Sequence, residues 1–513
     1  MNQYYQTCFD ELLAWSQQHG AELHPSLEIY NDHVSKFSIR VKDSASDGLE
    51  PGFRAVTCPV PTTLSYLNAL VDGPINLSES SPPPQQAPAF PPRFMQSFPP
   101  HVVGRYFLIK EYLKGKHSFW WPYIRTLPPP EQTSAWALPA FWPDDDIAYL
   151  EGTNAHVAID EIQANVRREF KQARKLLMEE KFPNFLDFTP VLYRWAFCIF
   201  TSRSFRPSLI LSDAAKQHAS SLLLPEGCQL DDFSILQPLF DIANHSMTAR
   251  YAWDTAADPN ACQLICRDAY QPGDQVYNNY GLKTNSELLL GYGFILPGTP
   301  ALHNDYVHVR KRHQPEEADA SQTDDDDDTK PKDFLISLRP TSHASSLVSR
   351  SRLSHHSPGR RRPPSRLASL PYFLHFEPAL VDDLASALVA SDPEQRARWE
   401  RWDRDDDHSD PANNNSAPPP PPPEFMDLVE RVRGMLGGKL QYDYQRLKAV
   451  ELGGEGEGEG EGEKGALPPP KNRNQVLAVE YRGRCEKVLV AALEGLMGGE
   501  GAEGGEDGSG SAS

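Results

Sequence analysis

Long apolar runs are what this 513-residue chain most clearly lacks. None approaches the ~18 consecutive apolar residues that would span a bilayer, and the first residues, MNQYYQTCFDELLAW, hold no apolar leader. No membrane partner is expected. Cysteine is scarce too: 7 residues, odd in number and scattered, do not make the disulfide framework of a small secreted protein. Cys262 and Cys266 are spaced as CxxxC, but no second cysteine pair follows Gly293, so they are taken as buried apolar thiols and no metal is expected. Positive charge is also short. Against 70 Asp and Glu stand 50 Lys and Arg, a net charge of −20 that argues against a protein wrapping nucleic acid. Much of the acid lies in the run Asp324 to Asp328 and in the Glu-Gly repeat after Glu455, so the packed part is closer to neutral and a basic protein substrate stays open. These shortages lead us to expect a reduced, soluble, intracellular protein; a monomer located in the cytoplasm and/or nucleus is the further expectation.

What is abundant is proline (47) and glycine (33), gathered in stretches that cannot pack. A Pro-, Ser- and Gln-rich linker is expected at 78–100, followed by a helical insert over 101–235. Val102, Tyr106, Ile109 and Leu113 have helical spacing there, as do Ile159, Ile162, Val166, Phe170, Ala173 and Leu177. A third helix begins after Pro190 and carries Ser202 and Arg203 at its end, beside Phe205. Nearer the N-terminus, Thr7 is expected to cap a helix that Gly20 stops, and Phe37 to Val41 alternates as a strand. Beyond Pro297 the spacing predicts two short strands, Tyr306 to Val309 and Phe334 to Leu338. Helices are predicted around Phe373 to Val389, Phe425 to Leu436 and Val476 to Leu496, separated by low-complexity inserts, with a tail at 500–513.

Chemistry is concentrated between Leu236 and Gly298, where LQPLFDIANHS precedes NNYGLKTNSELLLGYGFILPG. In this order the segments resemble the core of a SET-domain protein methyltransferase. The resemblance is to the subgroup of the Rubisco large-subunit lysine methyltransferase, which includes ribosomal-protein lysine and actin-histidine methyltransferases. SFWWPYIRTLP (Ser118 to Pro128), LEGTN (Leu150 to Asn154) and RWAFCIFTSRSF (Arg194 to Phe205) extend it over roughly the first 300 residues. It implies an α+β fold. A SET domain of short β-sheets interrupted by the helical insert would occupy 1–297, and a mostly helical substrate-binding-like domain with disordered inserts would occupy 298–499.

The resemblance also implies roles. S-adenosylmethionine would be the cofactor, with Asn244 and His245 offering groups to its amino-acid and adenine parts, Ser202 and Arg203 facing its carboxylate, and Tyr292 packing on it. The turn EPGFRA stands where the family has a glycine-rich cofactor contact. Phe53 replaces one of those glycines, so Glu50 and Gly52 are carried over beside the simpler reading of a strand-to-strand turn. Phe205, Phe294 and Asp241 would line a substrate channel, and Tyr280 would be catalytic. The implied activity is protein-lysine N-methylation of a non-histone target such as a ribosomal or translation protein, recognised through the C-terminal helices. A protein-histidine methyltransferase and an inactive SET-like scaffold are the alternatives.

Overall fold

In this computed structural model the described residues are 3–32, 35–77, 87–310, 333–353, 365–404, 421–450 and 467–498. The stretches expected to be low-complexity inserts and the C-terminal tail lie mostly outside them, as does the acidic run at 324–328. The chain divides into two compact units, one of residues 1–141 and 160–281, the other of 142–159 and 282–513.

The first unit is built from short strands around a large apolar core. Its strands are β1 (Glu22–Leu23), β2 (Leu27–Asp32), β3 (Lys36–Val41), β4 (Arg54–Pro59), β5 (Ser204–Phe205), β6 (Ile235–Leu236), β7 (Tyr251–Asp254), β8 (Ala261–Cys266) and β9 (Gln275–Val276). They form an antiparallel sheet in the order β1-β4-β8-β7, a second in the order β2-β3-β9, and the pair β5-β6. Strands this short gain little from their own ladders, so they depend on side chains packed behind them. The helix Pro100–Lys114 supplies many, burying Val102, Val103, Tyr106, Phe107, Leu108 and Ile109, and the helix Pro190–Arg203 adds Trp195, Ala196, Cys198 and Ile199.

Two sequence expectations give way here. The first helix runs Gln3–Gln18, so Thr7 is inside it rather than at its cap, its hydroxyl donating to the Gln3 carbonyl at 3.0 Å. The stretch expected as a linker packs in its second half: Pro92–Ser97 is helical, and Phe90, Phe94 and Met95 are buried, Phe94 with its ring 5.3 Å from Tyr106. Proline at the first helical turn costs nothing, because its missing N–H would have had no partner there.

The second unit holds β10 (Tyr306–Arg310) and β11 (Asp333–Ser337), an antiparallel pair, and the helices Pro378–Val389, Pro393–Arg404, Met426–Lys448 and Arg473–Leu496. The last of these, predicted from the apolar spacing of Leu477, Tyr481, Cys485, Val488, Ala492 and Leu496, buries all of them but Leu477, which is half-buried. Residues 142–159, expected within the insert, belong to this unit for a polar reason. Asp146 accepts hydrogen bonds from Asn472 Nδ2 (2.8 Å), Asn474 Nδ2 (2.9 Å) and Gln475 Nε2 (2.8 Å). Arg482, itself buried, donates to the carbonyls of Tyr149, Glu151, Leu447 and Val450. Gly152 (φ +83°) has no room for a side chain, since a Cβ there would lie 2.5 Å from the Arg446 carbonyl oxygen.

Candidate active site

The site is made where two loops of the first unit run side by side. The first leaves the turn Phe240–Ile242, entered through buried Leu239, which takes a φ of +72° that a leucine avoids. Its residues 244–246 clasp Asn278. The Asn278 N–H donates to the Asn244 carbonyl (2.8 Å), the Ser246 N–H donates to the Asn278 carbonyl (2.9 Å), and His245 bridges Asn278 in parallel. The second loop is shaped by Asn279, whose Nδ2 donates to the carbonyls of Met247 (3.2 Å) and Ala249 (3.3 Å) and whose Oδ1 accepts the Gly281 N–H (2.9 Å). Gly281, at φ +100°, lets the chain turn sharply just after Tyr280.

Between these loops Tyr280 is held at both ends. Its N–H donates to His245 Nδ1 at 3.0 Å, which assigns the proton of a neutral His245 to Nε2. The two rings stack with centroids 4.9 Å apart and 18° between planes, and the phenol donates to the Ala243 carbonyl at 3.0 Å. A phenol fixed in this way keeps its oxygen lone pairs in a fixed direction.

Beside it lies a charge pair whose acid is buried and whose base is half-buried. The Asp241 side chain is 1% exposed; its Oδ2 accepts from Tyr123 Oη (3.0 Å) and Arg203 Nη1 (3.3 Å), and Arg203 also donates to the Asp241 main-chain carbonyl (3.2 Å). Burial pushes the Asp241 carboxyl above the ordinary aspartate value, and the Arg203 guanidinium and Tyr123 hydroxyl pull it back. Burial also works against the Arg203 charge, but Asp241, Tyr123 and Tyr280 more than offset it. Arg203 ends the helix Pro190–Arg203, which Thr189 caps by accepting the Leu192 N–H. One residue earlier, Ser202 turns its hydroxyl back onto the Cys198 carbonyl at 2.8 Å, leaving its oxygen as an acceptor rather than a donor. Phe205, in β5, meets Phe240 and Trp253 edge-on, with centroids 6.0 and 5.9 Å away.

Asn244 is oriented by its amide nitrogen, which donates to Ser35 Oγ (2.7 Å) and Gln275 Oε1 (3.1 Å), and Gln275 in turn donates to the Tyr30 hydroxyl. The EPGF turn is pinned against the end of β8: the Gly52 N–H donates to the Cys266 carbonyl (2.7 Å) and the Phe53 carbonyl accepts the Cys266 N–H (3.0 Å). Phe53 fills its place by meeting His24 and Tyr270 edge-on, so the departure from a glycine is accommodated locally. Glu50 lies in that same turn. Tyr292 and Phe294 belong to the second unit, where their ring centroids lie 6.2 Å apart at the end of the helix Asn285–Tyr292. That helix starts with a capping box between Thr284 and Glu287, and Asn285 ties it to Leu296 and Asp305. Tyr123, Asn278, Asn279 and Gln275 carried no role in the sequence reading. The two asparagines immediately before Tyr280 were the visible signal; buried Tyr123 gave none.

With this geometry in place, comparison with solved structures is informative. The chain superposes on the SET domain of LSMT bound to MeLysine and AdoHcy with a TM-score of 0.55 and 15% identity, covering 97% of this chain and 92% of that one. On Rubisco LSMT bound to AdoMet the TM-score is 0.54 at 16% identity, with the same coverage. The fold is that of the Rubisco-methyltransferase type of SET protein. Among curated relatives, the ribosomal lysine N-methyltransferase set10 of Schizosaccharomyces pombe is 30% identical over 311 residues, 58% of this chain and 49% of its own length. The human actin-histidine N-methyltransferase is 23% identical over 294 residues, 56% of this chain and 42% of its own. The Saccharomyces cerevisiae protein-lysine N-methyltransferase EFM1 is 25% identical over 210 residues, 34% of this chain and 33% of its own. The chain thus spans half or less of the length of these relatives. No family model matches it.

Proposed function

We propose that the chain is an S-adenosylmethionine-dependent protein-lysine N-methyltransferase acting on a non-histone protein such as a ribosomal or translation protein. The observation that carries this reading is Tyr280, clamped between His245 Nδ1 and the Ala243 carbonyl beside the pair of Arg203 and buried Asp241. The donor set suits the cofactor. Arg203, with 30% of its side chain exposed, can meet a carboxylate, and Asn244, whose nitrogen is engaged, keeps Oδ1 for an ammonium group. When bound, S-adenosylmethionine supplies a methyl group on a positively charged sulfur.

The protein's part is to align and to desolvate. A lysine amine must attack neutral although its ordinary pKa is ~10.4, so the site has to strip water from it and let a proton leave. Phe205, Phe240 and Trp253 form an apolar wall that disfavours the ammonium form, while their ring faces tolerate the cationic product. The Tyr280 oxygen, fixed by its bond to Ala243, would orient the nitrogen and accept weak C–H···O contacts from the methyl of a bound cofactor. Phe294 would extend the channel, Tyr292 would pack on the cofactor, Ser202 would accept from its amino group or from water, and Glu50 and Gly52 would border it as one loop. The helices of the second unit would hold the protein substrate. Lysine is favoured over histidine by the aromatic Phe205 and by the lysine-directed relatives.

Calorimetric titration with S-adenosylmethionine tests cofactor binding. Mass spectrometry of methylated lysines and histidines in cells with and without the protein tests the reaction and names the target. Loss of a lysine methylation is expected; a folded chain that binds no cofactor would instead support the scaffold reading.

A further inference from the structure

Half-buried Asn244 could show either end of its amide to a ligand, and the hydrogen bonds behind it decide which. Its Nδ2 donates to Ser35 Oγ at 2.7 Å and to Gln275 Oε1 at 3.1 Å. Both acceptors lead back to one carboxylate, Asp32, at the end of β2. Ser35 lies in the turn into β3, and its hydroxyl and its N–H both donate to Asp32 Oδ2 at 2.7 Å. A longer bond from that hydroxyl goes to the Phe37 carbonyl at 3.4 Å, again an acceptor. On the second branch stands Tyr30, two residues before Asp32 and so on the same face of the strand. Its hydroxyl donates to Asp32 and accepts from Gln275 Nε2. Burial raises the Tyr30 pKa, the bond from Gln275 lowers it and the bond to Asp32 raises it, the signs of a phenol that accepts from one and donates to the other. The register puts Gln275 on that face too, since it pairs with Arg40, which pairs with Glu28.

An ionised carboxylate only accepts, so it sets the direction of every hydrogen bond that ends on it. Ser35 spends its one hydroxyl hydrogen on Asp32, and towards Asn244 its oxygen is left to accept. Tyr30 likewise spends its hydrogen on Asp32, so Gln275 turns its nitrogen to the phenol and its oxygen to Asn244. Each branch calls for Asn244 Nδ2 on the inner side, and a planar amide then carries Oδ1 on the outer side. We propose that Asp32 is a positioning residue for the cofactor: through Ser35 on one branch, and Tyr30 and Gln275 on the other, it turns the Asn244 amide so that Oδ1 receives the ammonium group of S-adenosylmethionine. This rests on the functional reading above. A reversed amide would aim its two N–H groups at that cation.

Asp32→Asn takes away the direction and keeps the shape. An amide at position 32 offers a donor as well as an acceptor, so Ser35 and Tyr30 can accept from it and donate onward. Asn244 then rests in either orientation. Nothing in this change bears on the adenosine part of the cofactor, so the loss falls on ligands that carry the ammonium group.

The test compares two ligands on the full chain by calorimetry: S-adenosylhomocysteine, and its analogue with hydrogen in place of the α-ammonium group. Wild type should prefer the ammonium compound, and Asp32→Asn should cut that preference roughly tenfold while binding the analogue as wild type does. Ser35→Ala and Tyr30→Phe each sever one branch. Either alone should change the preference little and the two together should reproduce the loss, which carries the test if Asp32→Asn does not fold. A hairpin merely loosened by these changes would bind both ligands more weakly and to the same degree. That outcome, equal wild-type affinities for the two ligands, or a preference that Asp32→Asn leaves intact overturns the inference and leaves the function standing. A folded wild-type chain that binds neither ligand overturns the functional reading, and the inference falls with it.

Discussion

Replacing Arg203 by methionine removes the charge that faces Asp241 while keeping a side chain of similar length. The cost is carried by what remains, a carboxyl 1% exposed with the Tyr123 hydroxyl as its donor. It can stay charged in an apolar surrounding or take a proton, and protonation sets a ceiling. Neutralising an aspartate of ordinary pKa ~3.9 costs about 1.4 kcal/mol per pH unit, hence about 4 kcal/mol at pH 7 and about 1.5 kcal/mol at pH 5. Because burial already raises Asp241 in the intact protein, the variant should lose less than the ceiling, about 2–3 kcal/mol at pH 7. In the variant the native carboxyl has its pKa raised further above the unfolded value. It therefore binds more protons than the unfolded chain, and stability falls as pH rises from the unfolded value through the raised native one. Urea unfolding followed by tryptophan fluorescence at pH 5 and pH 7 measures this. Adding Asp241→Asn should recover most of the loss. A destabilisation equal at both pH values, or one that Asp241→Asn leaves untouched, would refute the buried-pair argument.

Other consequences are as direct. Asp146→Ala leaves the side-chain amides of Asn472, Asn474 and Gln475 without their acceptor and should cost the second unit about 2–4 kcal/mol, read as a fall in its thermal unfolding temperature. His303, fully buried and stacked on Tyr306, has its pKa pushed down to about 4 by burial and by Arg339. With the native value below the unfolded one, its contribution is complete above the unfolded value and shrinks as pH falls towards 4; wild type should lose about 2 kcal/mol between pH 7 and pH 5 that His303→Phe does not, by thermal unfolding. Asn244→Ala should weaken S-adenosylmethionine binding roughly tenfold in calorimetry, and equal affinity would remove Asn244 from the cofactor site.

The parts of this protein legible in its sequence are those with local periodicity or dense motif. The helices Pro100–Lys114, Pro190–Arg203 and Arg473–Leu496 could be read from apolar spacing alone, and the strands of the second unit from alternation. Asn244, His245 and Tyr280 were marked by the order of their motifs, and the structure brings them together through Asn278 and Asn279. What stayed hidden depends on partners far along the chain. Tyr123 reads as one more aromatic until Asp241 stands over it, 118 residues on. Residues 142–159 belong to the second unit because Asp146 and Arg482 bind across more than 300 residues, which no periodicity encodes. Phe94 and Met95 pack from a proline-rich stretch whose composition argues for a linker.

In the proposed reaction the Tyr280 phenol serves the transfer step rather than cofactor binding. The test is transfer of tritiated methyl from S-adenosylmethionine to proteins of cells lacking this protein, measured side by side for wild type and Tyr280→Phe. Both chains should bind the cofactor with the same affinity, and the phenylalanine chain should label its target about 100-fold more slowly. Equal rates from the two chains would contradict it.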